Sequence, residues 1–257
     1  MSRIGLFVTA RANASRLPEK MLLSLGAATT LEFLLRRLEA AVQPQVRVLC
    51  TTESGGDDRL AELAKASDWQ VFRGDEEDVL ARYHGACQAF DIHLFANVDG
   101  DDLLCAPTLV DEVLMRAQEK EADFVHCQGL PIGLAPIAVS ARALADVVAR
   151  KCEKDTQGWG RYFLQTGRYD IETLEADPQM ARPYRLTLDY PEDLHLFRTI
   201  VEEIGPLAYG LGVVEIIALL DAHPEWAALN QGVNERYWSR FQAAHGGFDA
   251  TPFAVNK

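Results

Sequence analysis

Cysteine is scarce and scattered in this chain: Cys50, Cys87, Cys105, Cys127 and Cys152 are the five in 257 residues. No C-x-x-C pair and no histidine cluster at zinc-ligand spacing accompanies them, which excludes a disulfide or zinc framework and reads as the reduced thiols of a cytoplasmic protein. Long apolar runs are missing as well. The amino-terminal "IGLFVTA" meets an arginine after seven residues, too short for a span and without a cleavage site, so neither a membrane segment nor a targeting signal is expected. Positive charge is in deficit, 25 Lys and Arg against 38 Asp and Glu for a net of −13, which argues against nucleic acid or an anionic membrane as a partner. Internal repeats and low-complexity linkers are absent. A chain of this length with 48% hydrophobic residues buries a full core, most simply as one large α/β domain or as a domain with a small appendage.

The cation deficit is uneven. Residues 1–20 carry Arg3, Arg11, Arg16 and Lys20 against Glu19 alone, a local +3 that leaves −16 on the rest. Three of these cations sit in "VTARANASRLPEKML", a short loop directly after an apolar run. A small anion bound there explains such an island better than solubility does; a solvated loop with scattered charges is the bland alternative.

Periodicity gives strands alternating with helices. "RIGLFVTA" is a continuous apolar run of strand length, as in a strand buried on both faces. Thr29-x-x-Glu32 is a capping-box pattern, and Leu31, Leu34, Leu35, Leu38 and Val42 follow at helical spacing. "QVRVLCTT" is the next strand, "DDRLAELAKA" the next helix and "WQVFRG" a short strand. Asp75-x-x-Asp78 can cap a helix with Leu80, Tyr83, Cys87 and Phe90 on its apolar face. "IHLFANV" is another strand and breaks into Asp99-Gly100-Asp101-Asp102, after which Pro107 opens a helix with Leu109, Val110, Val113 and Leu114 inward. The alternation predicts βαβ units and a largely parallel sheet.

In open sheets of this kind ligands bind beyond the carboxyl ends of the strands, so the basic loop and the acidic cluster are expected to face one cleft. Opposite charges side by side suit a polyphosphate with a metal between: guanidinium forks fit phosphate oxygens, and Mg²⁺ takes only one or two protein carboxylates. Asp101 is the first choice of ligand, with Asp99 and Asp102 as neighbours that share the work; a D-G turn explains one of these aspartates without any ligand.

These residues carry a resemblance. "ARANASRLPEK" resembles the A-R-x-x-S-x-R-L-P-x-K signature of bacterial cytidylyltransferases that activate acidic sugars, and "NVDGDD" is similar to the metal-binding strand end of the octulosonate enzymes among them. "VFRGDEEDVLARYHGA", "YRLTLDYPEDLHLF" and "IIALLDAHPEWAALN" are similar to the spore-coat polysaccharide biosynthesis branch of that superfamily. The resemblance runs from residue 4 to about residue 235 and implies a single Rossmann-like nucleotidyltransferase domain, residues 1–205, with a mostly parallel sheet and a small helical extension, residues 206–257. Within the domain, residues 1–122 would bind nucleotide and residues 123–187 the acceptor, with dimerisation through an arm at "CEKDTQGWGRYFLQTGRYD".

The activity implied is transfer of CMP from CTP to a sugar or sugar acid, with loss of pyrophosphate, in a homodimer. Arg11, Ser15, Arg16 and Lys20 match positions that hold the triphosphate, Asp101 matches a Mg²⁺ ligand, and Asp189 matches the carboxylate that meets the metal from across the cleft. Lys20, Arg16 and Asp101 would carry catalysis. Pro191 is the natural first helical residue, so Tyr190 is the formal cap and Asp189 lies one position outside, although a plain capping aspartate is the competing reading. Polar candidates for the acceptor are His126, Gln128, Arg161, Tyr162 and Arg185, although a satisfied core or surface role is the better reading for each one singly, His126 above all; Arg73 and Asp78 are candidates to brace the cleft, while "FRGDEED" also serves simply as strand, turn and helix cap.

The chain departs from the family pattern in places. Asn13 and Glu19 stand where glycine is usual, Asn97 where an arginine is expected and Ala135 where an aspartate is common. Asparagine tolerates left-handed backbone, so Asn13 is expected to preserve the loop. Two other readings remain open: a glycosyltransferase using Asp99-x-Asp101 as a D-x-D motif, which "SRLPEK" and "LTLDYPED" oppose, and a nucleotide-binding homologue that has lost catalysis. Val213, Ile216, Ile217 and Leu220 form an apolar stripe, Pro224 starts a second short helix, and "AAHGGFDATPFAVNK" is expected to be a loose tail.

Overall fold

A seven-stranded sheet organises the computed structural model, which describes residues 2–156, 158–237 and 239. The expected tail at residues 243–257 lies outside them. In chain order the elements are β1 (Arg3–Thr9), β2 (Ser24–Leu25), β3 (Ala28–Thr29), α1 (Thr30–Leu38), β4 (Val46–Thr52), α2 (Asp58–Ala66), β5 (Gln70–Gly74), α3 (Val79–Phe90), β6 (Ile92–Asp99) and α4 (Pro107–Lys120). Then follow β7 (Phe124–Gln128), β8 (Ile137–Ser140), α5 (Ala141–Arg150), α6 (Arg161–Leu164), β9 (Ile171–Glu175), α7 (Pro191–Ile204), α8 (Val213–Ala222) and α9 (Pro224–Ala227). The sheet order is β5-β4-β1-β6-β8-β7-β9, with β2 and β3 a separate small hairpin. Every pairing in the large sheet is parallel except those of β8, which runs against both β6 and β7. The fold is the mostly parallel, helix-flanked sheet that the alternation predicted.

β1 is buried along nearly its whole length, as its unbroken apolar run requires, and sits between β4 and β6. Its last residue, Thr9, registers with Cys50 on one side and Asp99 on the other. Two apolar layers cover the sheet. One gathers α1, α4, α7 and α8 residues such as Leu34, Val113, Phe197 and Ile216; the other gathers Tyr83, Leu144 and the aromatic group Trp159, Tyr162 and Phe163. The segment expected to be a dimer arm thus sinks its aromatics into the chain's own core. Among the described residues no helix is long and apolar enough to cross a membrane.

Local signals were honoured with one change. The Thr29 capping box is present, with Glu32 N–H donating to Thr29 Oγ1 at 3.2 Å and Glu32 Oε2 accepting from Thr29 N–H at 2.8 Å. α1 nevertheless ends at Leu38, and Val42 is 79% exposed instead of on the buried face. Pro44 disfavours helix in the residue before it, and Asp111 on α4 accepts the freed N–H groups of Val42 and Gln43 at 2.9 and 2.8 Å.

Candidate active site

The loop after β1 is held in shape by the protein's own groups. Asp57 Oδ1 accepts Ala12 N–H at 2.7 Å, while its other oxygen takes the Thr51 hydroxyl at 2.9 Å, Thr52 N–H at 3.1 Å and the Thr52 hydroxyl. The Thr30 hydroxyl holds the Lys20 carbonyl at 2.6 Å, and Met21 is sunk in the core. Glu19 turns the chain with φ 53°, a left-handed backbone that disfavours any side chain, which explains the usual glycine there. Asn13, by contrast, is not among the positive-φ residues, so the expectation that its tolerance shapes the loop is corrected to Glu19.

Opposite this loop, the strand end Asp99–Asp102 is drawn tight. Gly100 N–H donates to Thr9 O at 2.8 Å, and a Cβ on Gly100 would lie 2.8 Å from that same oxygen. A third wall comes from residues 185–189, whose approach depends on Gly133: its φ is +93°, and a Cβ there would meet Leu186 O at 2.1 Å. Leu186 N–H donates to Ile132 O at 2.9 Å and Leu188 N–H to Asp101 O at 2.8 Å, which aligns Asp189 with Asp101.

The three walls enclose a cleft of about 930 Å³ lined by Arg11, Ser15, Arg16, Lys20, Asp99, Asp101 and Asp189 among others. Lys20 Nζ donates to Asp101 Oδ2 at 2.6 Å, Leu188 O at 2.8 Å and Asp189 Oδ1 at 3.0 Å. Arg16 Nη2 reaches the same Asp189 oxygen at 2.5 Å. Arg11, half-buried on the cleft wall, has no hydrogen-bond or ion-pair partner among the described residues. Burial alone would raise the Asp189 carboxyl, but Lys20 and Arg16 outweigh it and hold the group down at about 2. Burial likewise works against the Lys20 ammonium, yet Asp101 and Asp189 raise its pKa above the ordinary value, so it stays charged.

The acidic trio divides. Oxygens of Asp99, Asp101 and Asp102 lie within 4.8 Å of one another. Asp102 does not line the cleft; burial, then the charges of Asp101 and Asp99, push its carboxyl well above the ordinary value. Asp99 is exposed on the cleft face, and the protein packed behind its carboxyl, then the Asp101 charge, raises its pKa. The Thr9 hydroxyl bridges Tyr83 Oη at 2.6 Å and Asn97 Oδ1 at 3.1 Å, which leaves Asn97 Nδ2 to donate to Asp99 Oδ1 at 3.0 Å. Asn97, seen in the sequence only as a missing arginine, therefore aims Asp99. Asp99, Asp101 and Asp189 present oxygen donors alone, a set that suits a hard divalent cation such as Mg²⁺, and the Lys20 ammonium already occupies a cationic position between two of them.

The acceptor candidates from the middle of the chain do not line the cleft. Tyr162 is in the core, Arg161 pairs with Glu153, His126 Nε2 meets the Thr173 hydroxyl at 3.1 Å and Gln128 lies exposed at the end of β7. Arg185 is buried behind Asp189, to which Nη2 donates at 2.8 Å. Ile137, Gly158, Trp159 and Gly160 line the cleft in their place, with Glu76 and Glu77. Arg73 and Asp78 stand behind the walls: Arg73 ties Thr52 O and Ser54 O at 2.7 and 2.6 Å, and Asp78 caps α3 through Ala81 N–H at 3.0 Å.

Asp57 carries no sequence signal of its own beyond following two threonines at a strand end. Burial opposes its charge, but the Ala12 N–H and the Thr51 and Thr52 donors hold its carboxyl below the ordinary 3.8. Its stabilisation is therefore complete above that ordinary value and is lost as pH falls through the lowered folded value. Asp57→Asn, whose amide nitrogen would face Thr52 N–H, is expected to cost roughly 2–3 kcal/mol near neutrality. Chemical denaturation at several pH values checks it, the gap to wild type closing in acid.

The sequence matches the cytidylyltransferase family over residues 6–201. A Bacillus subtilis protein named spore coat polysaccharide biosynthesis protein SpsF is 27% identical over 235 residues, 88% of this chain and 98% of that one. A cytidylyltransferase from Leptospira borgpetersenii shares the fold with a TM-score of 0.81 at 22% identity, covering 88% of this chain and 97% of the other. A CMP:2-keto-3-deoxy-manno-octonic acid synthetase solved with CTP gives 0.64 at 15% identity, covering 79% and 99%. A family match across most of the chain, on a fold that brings the loop cations to the cleft carboxylates, identifies the chain as a member of the cytidylyltransferase family, a CTP-dependent nucleotidyltransferase.

Proposed function

We propose that the protein moves CMP from CTP to a sugar or sugar-acid acceptor, with Mg²⁺ and release of pyrophosphate, in the making of surface polysaccharide precursors. One observation carries this reading: Lys20 bridges Asp101 and Asp189 at 2.6 and 3.0 Å while Arg16 shares the Asp189 oxygen. Such a cluster balances its own charge when empty and separates into phosphate-binding cations and metal-binding carboxylates when a metal–triphosphate enters. The name of the Bacillus subtilis relative supports the polysaccharide setting.

An acceptor oxygen attacks the α-phosphorus, the bond from that phosphorus to the β-phosphate bridge breaks, and pyrophosphate leaves. Catalysis of such transfers is mainly positioning and charge stabilisation. Arg11, with Ser15 beside it, grips the triphosphate; Lys20 and Arg16 follow the charge onto departing pyrophosphate. Asp101 and Asp189 would hold Mg²⁺, with Asp99 adjacent. When bound, the ion neutralises phosphate charge and acidifies the attacking hydroxyl.

Pyrophosphate release with each of four nucleoside triphosphates, against nonulosonic and octulosonic acids, neutral sugars and sugar phosphates, tests the reading. Magnesium-dependent release with CTP and one acceptor is expected. Tight CTP binding without release from any pair would instead favour a homologue that has lost catalysis.

A further inference from the structure

The family match ends at residue 201, yet the chain beyond it returns to the cleft. Asn230, buried at 4% exposure, donates through Nδ2 to Asp193 Oδ1 at 2.8 Å and to Arg185 O at 2.9 Å. Asn234 Oδ1 accepts from Arg185 Nη1 at 3.2 Å. Arg185 in turn donates from Nε to Asp193 Oδ1 at 3.1 Å and from Nη2 to Asp189 Oδ2 at 2.8 Å. Asp193 Oδ2 accepts the main-chain N–H groups of Asp189 and Tyr190 at 3.0 and 2.9 Å. Asp189 is thus fixed at its backbone and at one carboxylate oxygen from behind. Its other oxygen, Oδ1, faces the cleft and its cations.

Tyr237 makes the second return contact. It lines the cleft, and its ring centroid lies 5.1 Å from the guanidinium carbon of Arg16 and 5.1 Å from that of Arg185. Tyr190 flanks Arg16 at 5.9 Å. Both loop cation and buried cation therefore rest against one ring that the extension supplies.

We propose that residues 230–237 are a working part of the nucleotide site. Asn230 and Asn234 are positioning residues that hold Asp189 through Arg185 and Asp193, and Tyr237 keeps the Arg16 guanidinium against the cleft wall. The proposal rests on the reading of Arg16 and Asp189 given above. Its logic is division of labour on one carboxylate: ligand entry draws Arg16 and Lys20 away from Oδ1, while Arg185 keeps Oδ2 and so keeps the orientation.

The test needs no acceptor. CTP affinity is measured by calorimetry with Mg²⁺ present, and Mn²⁺ affinity without nucleotide by electron paramagnetic resonance, both below the unfolding temperature of each variant. Tyr237→Ala is expected to weaken CTP roughly fivefold, with Tyr237→Phe recovering most of it because the ring remains. Asn230→Leu is expected to weaken Mn²⁺ about tenfold, on the scale seen for residues that orient metal ligands. Asn234→Ala, at the outer edge of the network, gives the same loss in smaller measure and remains informative if Asn230→Leu does not fold. Folded variants with lowered thermal midpoints but unchanged CTP and Mn²⁺ affinities would overturn the proposal and leave the segment as packing. A wild-type chain that binds neither CTP nor Mn²⁺ would instead overturn the reading of the site itself.

Discussion

Lys20→Met is expected to lower the rate of pyrophosphate release by about 10³ or more, while Mn²⁺ binding to the nucleotide-free protein becomes tighter. The opposite signs follow from one geometry. The Lys20 ammonium touches both Asp101 and Asp189 and so competes with any divalent cation for their oxygens. Its removal frees those oxygens, leaving Arg16 and Arg185 as the ion-pair partners of Asp189. During transfer the same ammonium faces charge growing on the leaving pyrophosphate, and methionine offers none. Asp101→Asn is expected to lose activity as well, but with weaker Mn²⁺ binding, since a ligand and its charge are gone. Paired rate and metal-affinity measurements on both variants check the assignment; parallel losses in both would mean that Lys20 merely supports the fold.

The parts of this site readable from sequence are those with a local cause. β1 announced itself by an unbroken apolar run, and the basic loop and Asp99–Asp102 followed strand ends, where parallel sheets place ligands. Parts that depend on distant partners were silent. Asp57 opens the stretch "DDRLAELAKA" that reads as a helix, yet its carboxylate serves Ala12, 45 positions earlier. Arg185 reads as one acceptor candidate among several because a cation suits an acidic sugar, whereas Asp189 and Asp193 draw it inside. β8 and β9 were not assigned for a different reason: β8 has four residues, and β9, an edge strand reading "IETLE", is partly buried without the alternation that marks a half-buried strand. Trp159 lies in a stretch with no periodicity, and Tyr237 follows the buried Val233 by four residues on a helical turn whose spacing says nothing of a cleft, so only packing could place either one there.

Arg37 provides the largest expected effect on folding. It looks like one more cation near the end of α1, yet it is 1% exposed and has no carboxylate partner among the described residues. Its guanidinium donates instead to main-chain carbonyls: Cys105 at 3.0 Å and Leu104 at 3.3 Å behind the acidic strand end, Ala208 at 2.9 Å and Tyr209 at 3.1 Å before α8, and Leu211. Burial pushes its pKa down to about 10, which still leaves it charged at neutral pH. One side chain thereby ties α1 to the loop after β6 and to the start of the extension. Arg37→Met keeps the apolar stem but takes the donor from five carbonyls, three of them in buried hydrogen bonds, and is expected to cost roughly 3–5 kcal/mol as several acceptors go unsatisfied at once. For a chain of this size that is a fall in thermal midpoint on the order of 10 °C. Arg37→Lys keeps charge but not the planar fork, so it should recover only part of the loss. Equal stability of all three proteins in calorimetric melts would show that the carbonyls find other donors. The ordering expected here, Arg above Lys above Met, would establish the fork as the joint between the acidic strand end and the extension.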